Sequence, residues 1–260
     1  DVFTIRMREY LVGKSIFAVA VRSEADAELP EGAGRFLGSL ALGEDKLRAT
    51  GTPEPEPKGT ELPGWGLAID PDKDCKITPA PKSITFDVPG AMHDCAPISK
   101  FNAPRVVREV DGDFVLTVKV SGDFQPGPRS THPQRVPYIA AGILIWSDSD
   151  NFIRLERAAL RRGPRVVPHV AFLEQEGGYG GAVHNELFRE GACSLRLERR
   201  GSRIHGAISA DGKTWKQLKP IDTVWPSKLK VGLVAISTSS DPLAVKFEEF
   251  ELKAKGLHRE

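Results

Sequence analysis

The chain has 260 residues, with 36 Lys and Arg against 35 Asp and Glu, and a formal net charge of +1 at pH 7. That near-neutral balance argues against a nucleic-acid partner or an anionic membrane surface, since both usually need a clear excess of basic residues. No run of about 18 apolar residues occurs, so the sequence predicts no transmembrane helix. The length is sufficient for one large domain with its own hydrophobic core, with or without a small attachment.

The N-terminal part, residues 1–43, is expected to be the C-terminal remnant of a small α+β domain that begins upstream of Asp1. Residues 3–21 alternate between apolar and polar side chains around a turn at 12–14, which predicts a β-hairpin. The following LPEGAGRFLGSLAL, residues 29–42, has apolar residues at helical spacing and predicts a short helix. Such a small unit buries little apolar surface alone. We therefore expect either self-assembly or a partner domain to cover it.

A charged, proline-rich stretch then separates this unit from the rest of the chain. Residues 44–62 contain almost no large apolar side chain. This composition predicts a semi-extended linker, because proline stiffens the backbone and little of the segment can be buried. The main domain is predicted over residues 63–254, followed by a tail at 255–260.

The main domain alternates apolar and polar residues with the period of a β-strand. In DFVLTVKVSGDF, the residues Phe114, Leu116, Val118 and Val120 fall on one face. YIAAGILIW is apolar on both faces, which predicts a strand in the middle of a sheet. Further short strands follow between Gly, Asp, Ser and Pro clusters: NFIRLER, SLRLERR, RIHGAIS, LKVGLVAIST and LAVKFEEFEL. Many short strands without a long helix predict an all-β, antiparallel two-sheet sandwich.

Six segments of the main domain resemble the DUF1349 family in the same order: GWGLAIDPDKDCKI, ITFDVPGAMHDC, NAPRVVREVDGDFVLTVKVSG, AGILIWSDSDNFIRLERA, LRLERRGSRIHGAISADGKTW and KLKVGLVAISTSSDPLAVKFEEFEL. The resemblance covers roughly residues 60–252 and implies a concanavalin A-like (laminin G-like) jelly-roll sandwich. Lectins, glucanases and carbohydrate-binding modules share that fold, so it carries little functional information. The N-terminal YLVGKSIFAVAV and RFLGSLAL resemble the end of a small domain that precedes such modules in planctomycete-type bacterial proteins.

An acidic loop follows the first strand of the main domain, with Asp70, Asp72 and Asp74 at every second position. The three match the first ligand positions of an EF-hand, but Cys75 replaces the sixth-position Gly and Pro81 replaces the twelfth-position Glu. An EF-hand is therefore excluded. Two interpretations remain: a solvated turn, or a calcium site of another geometry, because sandwiches of this class often bind calcium through loop carboxylates. Calcium is the one cofactor that the sequence suggests.

The three cysteines, Cys75, Cys95 and Cys193, are too few for a disulfide scaffold and lack the paired spacing of a zinc site. A disulfide between Cys75 and Cys95 would close a loop and stabilise the folded state by roughly 3 kcal/mol. The alternative is that both are buried thiols. We expect the bridge if the protein is exported, and we favour an extracytoplasmic or cell-surface location. His93 with Asp94 and Cys95 is the one local group of metal-ligating residue types, too small to define a site by itself.

Two predicted strands repeat the same charged pattern, FIRLER at 152–157 and SLRLER at 194–199. In each strand the Arg and the Glu share one face. If the two strands are neighbours, the charged side chains form one polar surface bordered by the WSDSDN loop. This interpretation predicts a ligand-binding surface made of Arg154, Glu156, Arg196, Glu198, Trp146 and Asn151. The alternative is that cross-strand Arg and Glu pairs only set the strand register and keep the face soluble.

Two further features are open to a structural and a functional interpretation. SADGKTW resembles a shortened Asp-box hairpin, in which Asp211 and Gly212 supply a tight turn and Trp215 begins the returning strand. We expect this role to be structural. Trp65 and Trp146 are each either packed in the core or available to stack on a sugar ring.

Three functions of different class follow from these patterns. The favoured one is a non-catalytic binding module for a glycan or other extracellular polymer on the concave sheet face. The second is a structural or assembly protein that packs through the sandwich and the N-terminal hairpin. The third, a glycoside-active enzyme, is disfavoured because the E-x-D-x-E string of concanavalin A-like glucanases is absent. In addition, each Glu of the repeated pattern has an Arg nearby, which opposes the raised pKa that a general acid needs.

Overall fold

The computed structural model describes residues 3–12, 15–24, 58–96, 100–176, 179–189, 191–223 and 225–254. All the regular secondary structure in these ranges is β-strand. The chain separates into two compact units, residues 1–54 and 55–260. In the described ranges, no helix has the length and apolar character needed to cross a membrane.

The N-terminal unit contains an antiparallel hairpin of β1 (Phe3–Val12) and β2 (Ser15–Glu24). The predicted hairpin is therefore confirmed. The predicted helix at 29–42, the first part of the predicted linker and the tail at 255–260 lie outside the described residues.

The described residues of the larger unit form sixteen strands. Their bounds are β3 Thr60–Leu62, β4 Gly66–Ile69, β5 Lys76–Ala80, β6 Ser83–Val88, β7 Arg105–Asp111, β8 Phe114–Gly122, β9 Tyr138–Asp148, β10 Asn151–Arg162, β11 Arg165–Glu176, β12 Tyr179–Leu187, β13 Cys193–Arg200, β14 Arg203–Ser209, β15 Lys216–Gln217, β16 Ile221–Asp222, β17 Lys228–Ser237 and β18 Leu243–Ala254. Strand β3 lies within the stretch that composition assigns to the linker. It pairs with β4 through its backbone, which needs no large apolar side chain.

The sixteen strands form two antiparallel sheets of eight. Sheet I has the order β12-β11-β10-β9-β17-β7-β4-β3. Sheet II has the order β15-β14-β13-β8-β18-β6-β5, and β16 pairs with β14 beside that path. Strands that are distant in the sequence, such as β9 and β17 or β8 and β18, are neighbours in the sheets. The fold is the predicted all-β jelly-roll sandwich.

The main hydrophobic core lies between the two sheets. Strand β8 contributes the four residues that its alternation predicts, Phe114, Leu116, Val118 and Val120, all of them buried. Strand β9 lies inside sheet I between β10 and β17, as its apolar sequence predicts. Inward-facing side chains of β9 pack into the same core, among them Ile143 and Ile145.

A second apolar cluster lies on the outer face of sheet I. There a covering segment, residues 93–96 and 100–104, packs Cys95, Phe101 and Ala103 against side chains of the sheet. The covered side chains include Leu144 of β9 and Val234 of β17. Because of this cover, the centre of sheet I is buried on both faces, which explains why β9 has apolar residues on both.

Candidate functional site

The structure places the two Arg-x-Glu strands in different sheets. Strand β10 lies in sheet I between β9 and β11, whereas β13 lies in sheet II between β8 and β14. In both strands the intervening leucine faces the main core and the charged residues face outward. The outer faces of the two sheets lie on opposite sides of the sandwich. The prediction of one joint surface from the four charged residues is therefore wrong, since the strands are not neighbours.

The Arg and Glu of the β10 pattern, Arg154 and Glu156, are named here the buried pair and lie beneath the covering segment. Arg154 is 7% exposed and Glu156 is 0% exposed. The Nε atom of Arg154 lies 3.6 Å from Oε2 of Glu156, and the Tyr138 hydroxyl donates a hydrogen bond to Oε1 of Glu156. Oε2 of Glu156, with Nε and Nη1 of Arg154, has no hydrogen-bond partner among the described residues. The buried pair thus keeps opposite charges close together with incomplete hydrogen bonding.

Burial and the neighbouring charges shift the ionisation of this region. Burial, together with the Glu156 charge, raises the pKa of Tyr138 well above its usual value. Burial lowers the pKa of Arg154, but the combined attraction of Glu156 and the other acidic groups nearby outweighs burial and leaves that pKa raised. Burial also raises the pKa of the Cys95 thiol to about 11. At neutral pH, Arg154 is therefore a cation under a layer of protein that keeps a polymer from reaching it.

Trp146 and Asn151 also belong to sheet I, and both have structural contacts. Trp146 is 8% exposed and stacks on Phe152 with ring centroids 5.7 Å apart. Phe101 of the covering segment meets Trp146 edge-on at 5.5 Å. The Nδ2 atom of Asn151 donates to Oδ1 of Asp148 across the β9–β10 turn at 2.8 Å. Neither residue lies beside Arg196 and Glu198.

Trp65 is also a packing residue. It is buried, its ring lies 5.5 Å from that of Phe250, and its Nε1 donates to the Ala80 carbonyl oxygen at 3.2 Å.

The outer face of sheet II carries an open polar groove of about 360 Å³ across β13, β14 and β15. Its lining consists of Arg196, Glu198, Arg200, His205, Ala207 and Gln217. The strand register brings these residues together, because Arg196 lies opposite Ala207, Glu198 opposite His205, and Ala207 opposite Gln217. Only the β13 half of the predicted surface therefore faces an accessible groove.

Arg196 is held over an aromatic ring at the side of this groove. Its Cζ atom lies 4.0 Å from the centroid of the Trp215 ring, and its Nε donates to Oγ1 of Thr117 at 3.3 Å. The two terminal nitrogens of Arg196 make no hydrogen bond within the described part of the chain. This geometry fixes the guanidinium and leaves two donors for another molecule.

The turn before Trp215 positions the ring. The Oδ1 atom of Asp211 accepts hydrogen bonds from the backbone of Lys213 and Thr214 at 2.8 and 2.7 Å, and Gly212 has a φ of 71°. These bonds lower the pKa of Asp211, which keeps the carboxylate ionised and the turn formed. The predicted tight turn is confirmed. The contact of Trp215 with Arg196 was not predicted, because it depends on the strand register that places Arg196 opposite Ala207 and Ala207 opposite Gln217.

Glu198 is paired with an arginine at the mouth of the groove. Its two carboxylate oxygens accept hydrogen bonds from Nε and Nη2 of Arg200 at 2.7 and 3.0 Å. The hydrogen bond to Glu198 raises the pKa of Arg200. Two arginines and one carboxylate give the groove an excess of positive charge, before any contribution from His205.

The acidic loop gives each of its three aspartates a different partner. The carboxylate of Asp70 accepts the backbone N–H groups of Lys73 at 3.2 Å and Cys75 at 2.9 Å. Asp72 accepts a hydrogen bond from Nδ2 of Asn102 at 2.6 Å. Asp74 is bonded to His93, as described below. Among the described residues the three carboxylates do not form a group of close ligand atoms, so they do not supply the oxygen cluster that calcium requires. The structure matches the turn interpretation of this loop.

A group of different composition lies at the end of the acidic loop. Asp74, Cys75 and His93 each offer one potential ligand atom, and these atoms lie within 4.8 Å of one another. The Nε2 atom of His93 is 2.9 Å from Oδ1 of Asp74, and Sγ of Cys75 is 3.6 Å from the same oxygen. Burial and the charges of Asp70 and Asp74 raise the pKa of the Cys75 thiol.

The predicted disulfide is not formed, since Cys75 and Cys95 are separate thiols in the structure. Cys75 is half-buried at the edge of the main core, whereas Cys95 is fully buried in the second cluster. Cys193 is buried as predicted. His93 is bonded to Asp74 rather than to its sequence neighbour Asp94. Asp94 instead accepts Nη1 of Arg135 at 2.6 Å.

Solved structures share the sandwich fold at low sequence identity. A functionally unknown protein from Saccharomyces cerevisiae matches with a TM-score of 0.58 and 16% identity, over 73% of this chain and 96% of that one. The GH43 BlXynB protein from Bacillus licheniformis matches with a TM-score of 0.57 and 14% identity, over 76% of this chain and 39% of that one. A bifunctional GH43-CE protein from Bacteroides eggerthii matches with a TM-score of 0.55 and 12% identity, over 75% of this chain and 24% of that one.

No curated protein matches the chain in sequence. A family model, however, matches residues 67–255 and carries the description "Protein of unknown function (DUF1349)". The matched range contains strands β5–β18, including the two Arg-x-Glu strands β10 and β13. The chain belongs to the DUF1349 family.

Proposed function

We propose that the sandwich is a non-catalytic binding module for a glycan or other extracellular polymer, and that the ligand lies in the groove on the outer face of sheet II. The observation that carries this proposal is the placement of Arg196 in the groove, stacked on Trp215 with its terminal nitrogens unused. The fold by itself does not distinguish a binding module from an enzyme, because both kinds of protein share such sandwiches.

The side chains of the groove suit a polymer rich in hydroxyl or carboxylate groups. A guanidinium presents paired donors that match a carboxylate or two adjacent hydroxyls. Glu198, His205 and Gln217 add acceptors and further hydrogen-bonding groups along the same wall. Because two arginines outnumber the single carboxylate, a polymer that bears uronic acids should bind more tightly than a neutral one.

Preorganisation is the second argument for this groove. A long charged side chain loses rotamer entropy when it is ordered, and this loss weakens binding if it occurs on contact with the ligand. The Trp215 ring and the Thr117 hydroxyl hold Arg196 before any ligand arrives. An exposed stack of this kind contributes only about 0.5–1 kcal/mol to folding, so stability alone is a weak reason for the arrangement.

Binding to neutral and uronate-bearing polysaccharides, by a glycan array followed by titration calorimetry, tests the proposal. Arg196→Ala should weaken binding at least about tenfold, equivalent to about 1.4 kcal/mol, while the melting temperature stays close to that of the wild type. Arg165→Ala is the matched control, because it removes an exposed arginine from sheet I. The proposal fails if the wild type binds no polysaccharide, or if both variants weaken binding equally.

A further inference from the structure

The group at the end of the acidic loop combines three types of metal ligand from two separate segments. Asp74 and Cys75 lie next to each other before β5, and His93 lies in the covering segment. A carboxylate, a thiolate and an imidazole together are donors that zinc and similar transition metals accept, whereas calcium takes oxygen ligands only. We propose that Asp74, Cys75 and His93 bind a divalent transition metal of the zinc class, which clamps the acidic loop to the covering segment.

The distances are close to those that such an ion needs. A tetrahedral zinc with bonds of about 2.0–2.3 Å separates its ligand atoms by roughly 3.3–3.8 Å. In the structure, Sγ of Cys75 and Oδ1 of Asp74 are already 3.6 Å apart. Nε2 of His93 is 2.9 Å from that oxygen, a hydrogen bond that an ion would replace. All three atoms lie within 4.8 Å, so small side-chain movements complete the geometry.

The histidine is held by its surroundings in an orientation suited to a ligand. Its side chain is fully buried, and its backbone exchanges two hydrogen bonds of 2.8 Å with Ser237 of β17. The Nδ1 atom lies 3.3 Å from the Ala91 carbonyl oxygen. A proton on Nδ1 donates to that carbonyl and leaves the Nε2 lone pair for the ion, an arrangement common around metal-binding histidines.

The acidic loop is held in place by groups outside the three ligands. Asp70 accepts the backbone N–H of Cys75 at 2.9 Å, and Lys73 has a φ of 60°, the left-handed conformation of a tight turn. Asp72 ties the loop to Asn102 of the covering segment at 2.6 Å. The Asp74 side chain is 43% exposed, so an ion can enter from solvent and keep a water molecule as its fourth ligand. These supports explain why the loop needs three aspartates although only one of them is a ligand.

Titration of the full chain with Co²⁺ tests this site, because thiolate coordination produces a charge-transfer band in the near ultraviolet. We expect a band with one equivalent of Co²⁺, removal of the band by Zn²⁺, and no competition from Ca²⁺. Cys75→Ser should abolish the band and weaken Zn²⁺ binding by at least about tenfold. Cys95→Ala, which removes a thiol outside the group, and Asp72→Asn, which removes a carboxylate outside it, should both keep the band.

A second measurement covers the case in which Cys75→Ser does not fold. In the wild type, Zn²⁺ should slow alkylation of Cys75 by at least about tenfold while alkylation of Cys95 is unchanged, as mapped by mass spectrometry. The proposal is overturned if Co²⁺ gives no charge-transfer band, or if a folded Cys75→Ser keeps the band. It is also overturned if Ca²⁺ displaces Co²⁺ from the site, or if Zn²⁺ does not protect Cys75 from alkylation.

Discussion

Strands β10 and β13 carry the same Arg-x-Glu pattern in opposite surroundings. In both strands the leucine between the Arg and the Glu faces the main core, and the Arg and the Glu face outward. In β13 the outward face is an open groove, where Glu198 pairs with Arg200 and Arg196 stacks on Trp215. In β10 the outward face lies under the covering segment, and Glu156 has no exposed surface. Alternation therefore determines which face a residue occupies, while a segment distant in the sequence determines whether that face meets water.

The covering segment makes the energetic difference between the two strands. A charge that is removed from water needs a close partner and hydrogen bonds, whereas an exposed charge keeps its hydration. Arg154 and Glu156 have each other and the Tyr138 hydroxyl, but three of their polar atoms lack hydrogen-bond partners among the described residues. The same substitution should therefore have very different consequences in the two strands.

The largest expected effect comes from breaking the buried pair. Glu156→Ala should lower the free energy of unfolding by about 3–5 kcal/mol, because it leaves the buried Arg154 without its counter-charge. The matched change in β13, Glu198→Ala, should alter stability by about 0.5 kcal/mol or less, as is usual for accessible positions. Urea denaturation of both variants checks this. Equal effects of the two changes would show that the covering segment does not isolate β10 from water.

A much smaller loss of stability should follow when the whole buried polar group is replaced. The triple variant Arg154→Met, Glu156→Leu and Tyr138→Phe should recover most of the stability that Glu156→Ala loses, because no buried charge or hydroxyl stays unpaired. The measurement is again urea denaturation, with circular dichroism to verify the sandwich. A triple variant as unstable as Glu156→Ala would mean that the polar contacts themselves hold the covering segment in place.

The sequence predicts the sandwich well for a physical reason. The strands show a period of two wherever one face is buried, as in β8, and an apolar pattern on both faces where a second cover exists, as in β9. Strand pairing is harder to predict, because β13 lies beside β8 rather than β10 and nothing local in SLRLER encodes that. The prediction of one joint surface was wrong for this reason. The proximity of Cys75 to His93 was not predicted for the same reason, because it depends on how the loops meet.

Alkaline pH gives an effect of intermediate size that is specific to the buried region. Burial and the Glu156 charge raise the pKa of Tyr138 above its usual value of 10.0. The folded protein therefore holds this proton more tightly than the unfolded chain does. The contribution of Tyr138 to the free energy of unfolding is complete below pH 10 and declines as the pH rises above it. The wild type should lose about 1.4 kcal/mol per pH unit more than Tyr138→Phe in that range. Unfolding curves for both proteins between pH 9 and about pH 11.5 measure the difference. Parallel pH profiles would contradict the raised pKa of Tyr138.

The smallest expected effect concerns the groove. In a double-mutant cycle of Arg196→Ala and Trp215→Ala, the coupling energy should be about 0.5–1 kcal/mol, since both partners are partly exposed. Added salt should reduce it only slightly, because the stacked contact does not join two opposite charges. The equivalent cycle of Arg154→Met and Glu156→Leu should give a coupling several times larger. Both cycles are measured by urea denaturation at low and high salt.

These two couplings decide whether burial is the cause of the difference between the strands. If the coupling energy between Arg196 and Trp215 equals or exceeds that of the buried pair, these two residues contribute substantially to folding. Their contact is then explained by stability, and preorganisation for a ligand is not needed to account for it. If the groove coupling is small and Arg196→Ala still weakens polysaccharide binding, the stack serves the ligand more than the fold. The two strands would then use the same residues for different purposes, with Arg154 and Glu156 fixing the covered face and Arg196 and Glu198 presenting the open one.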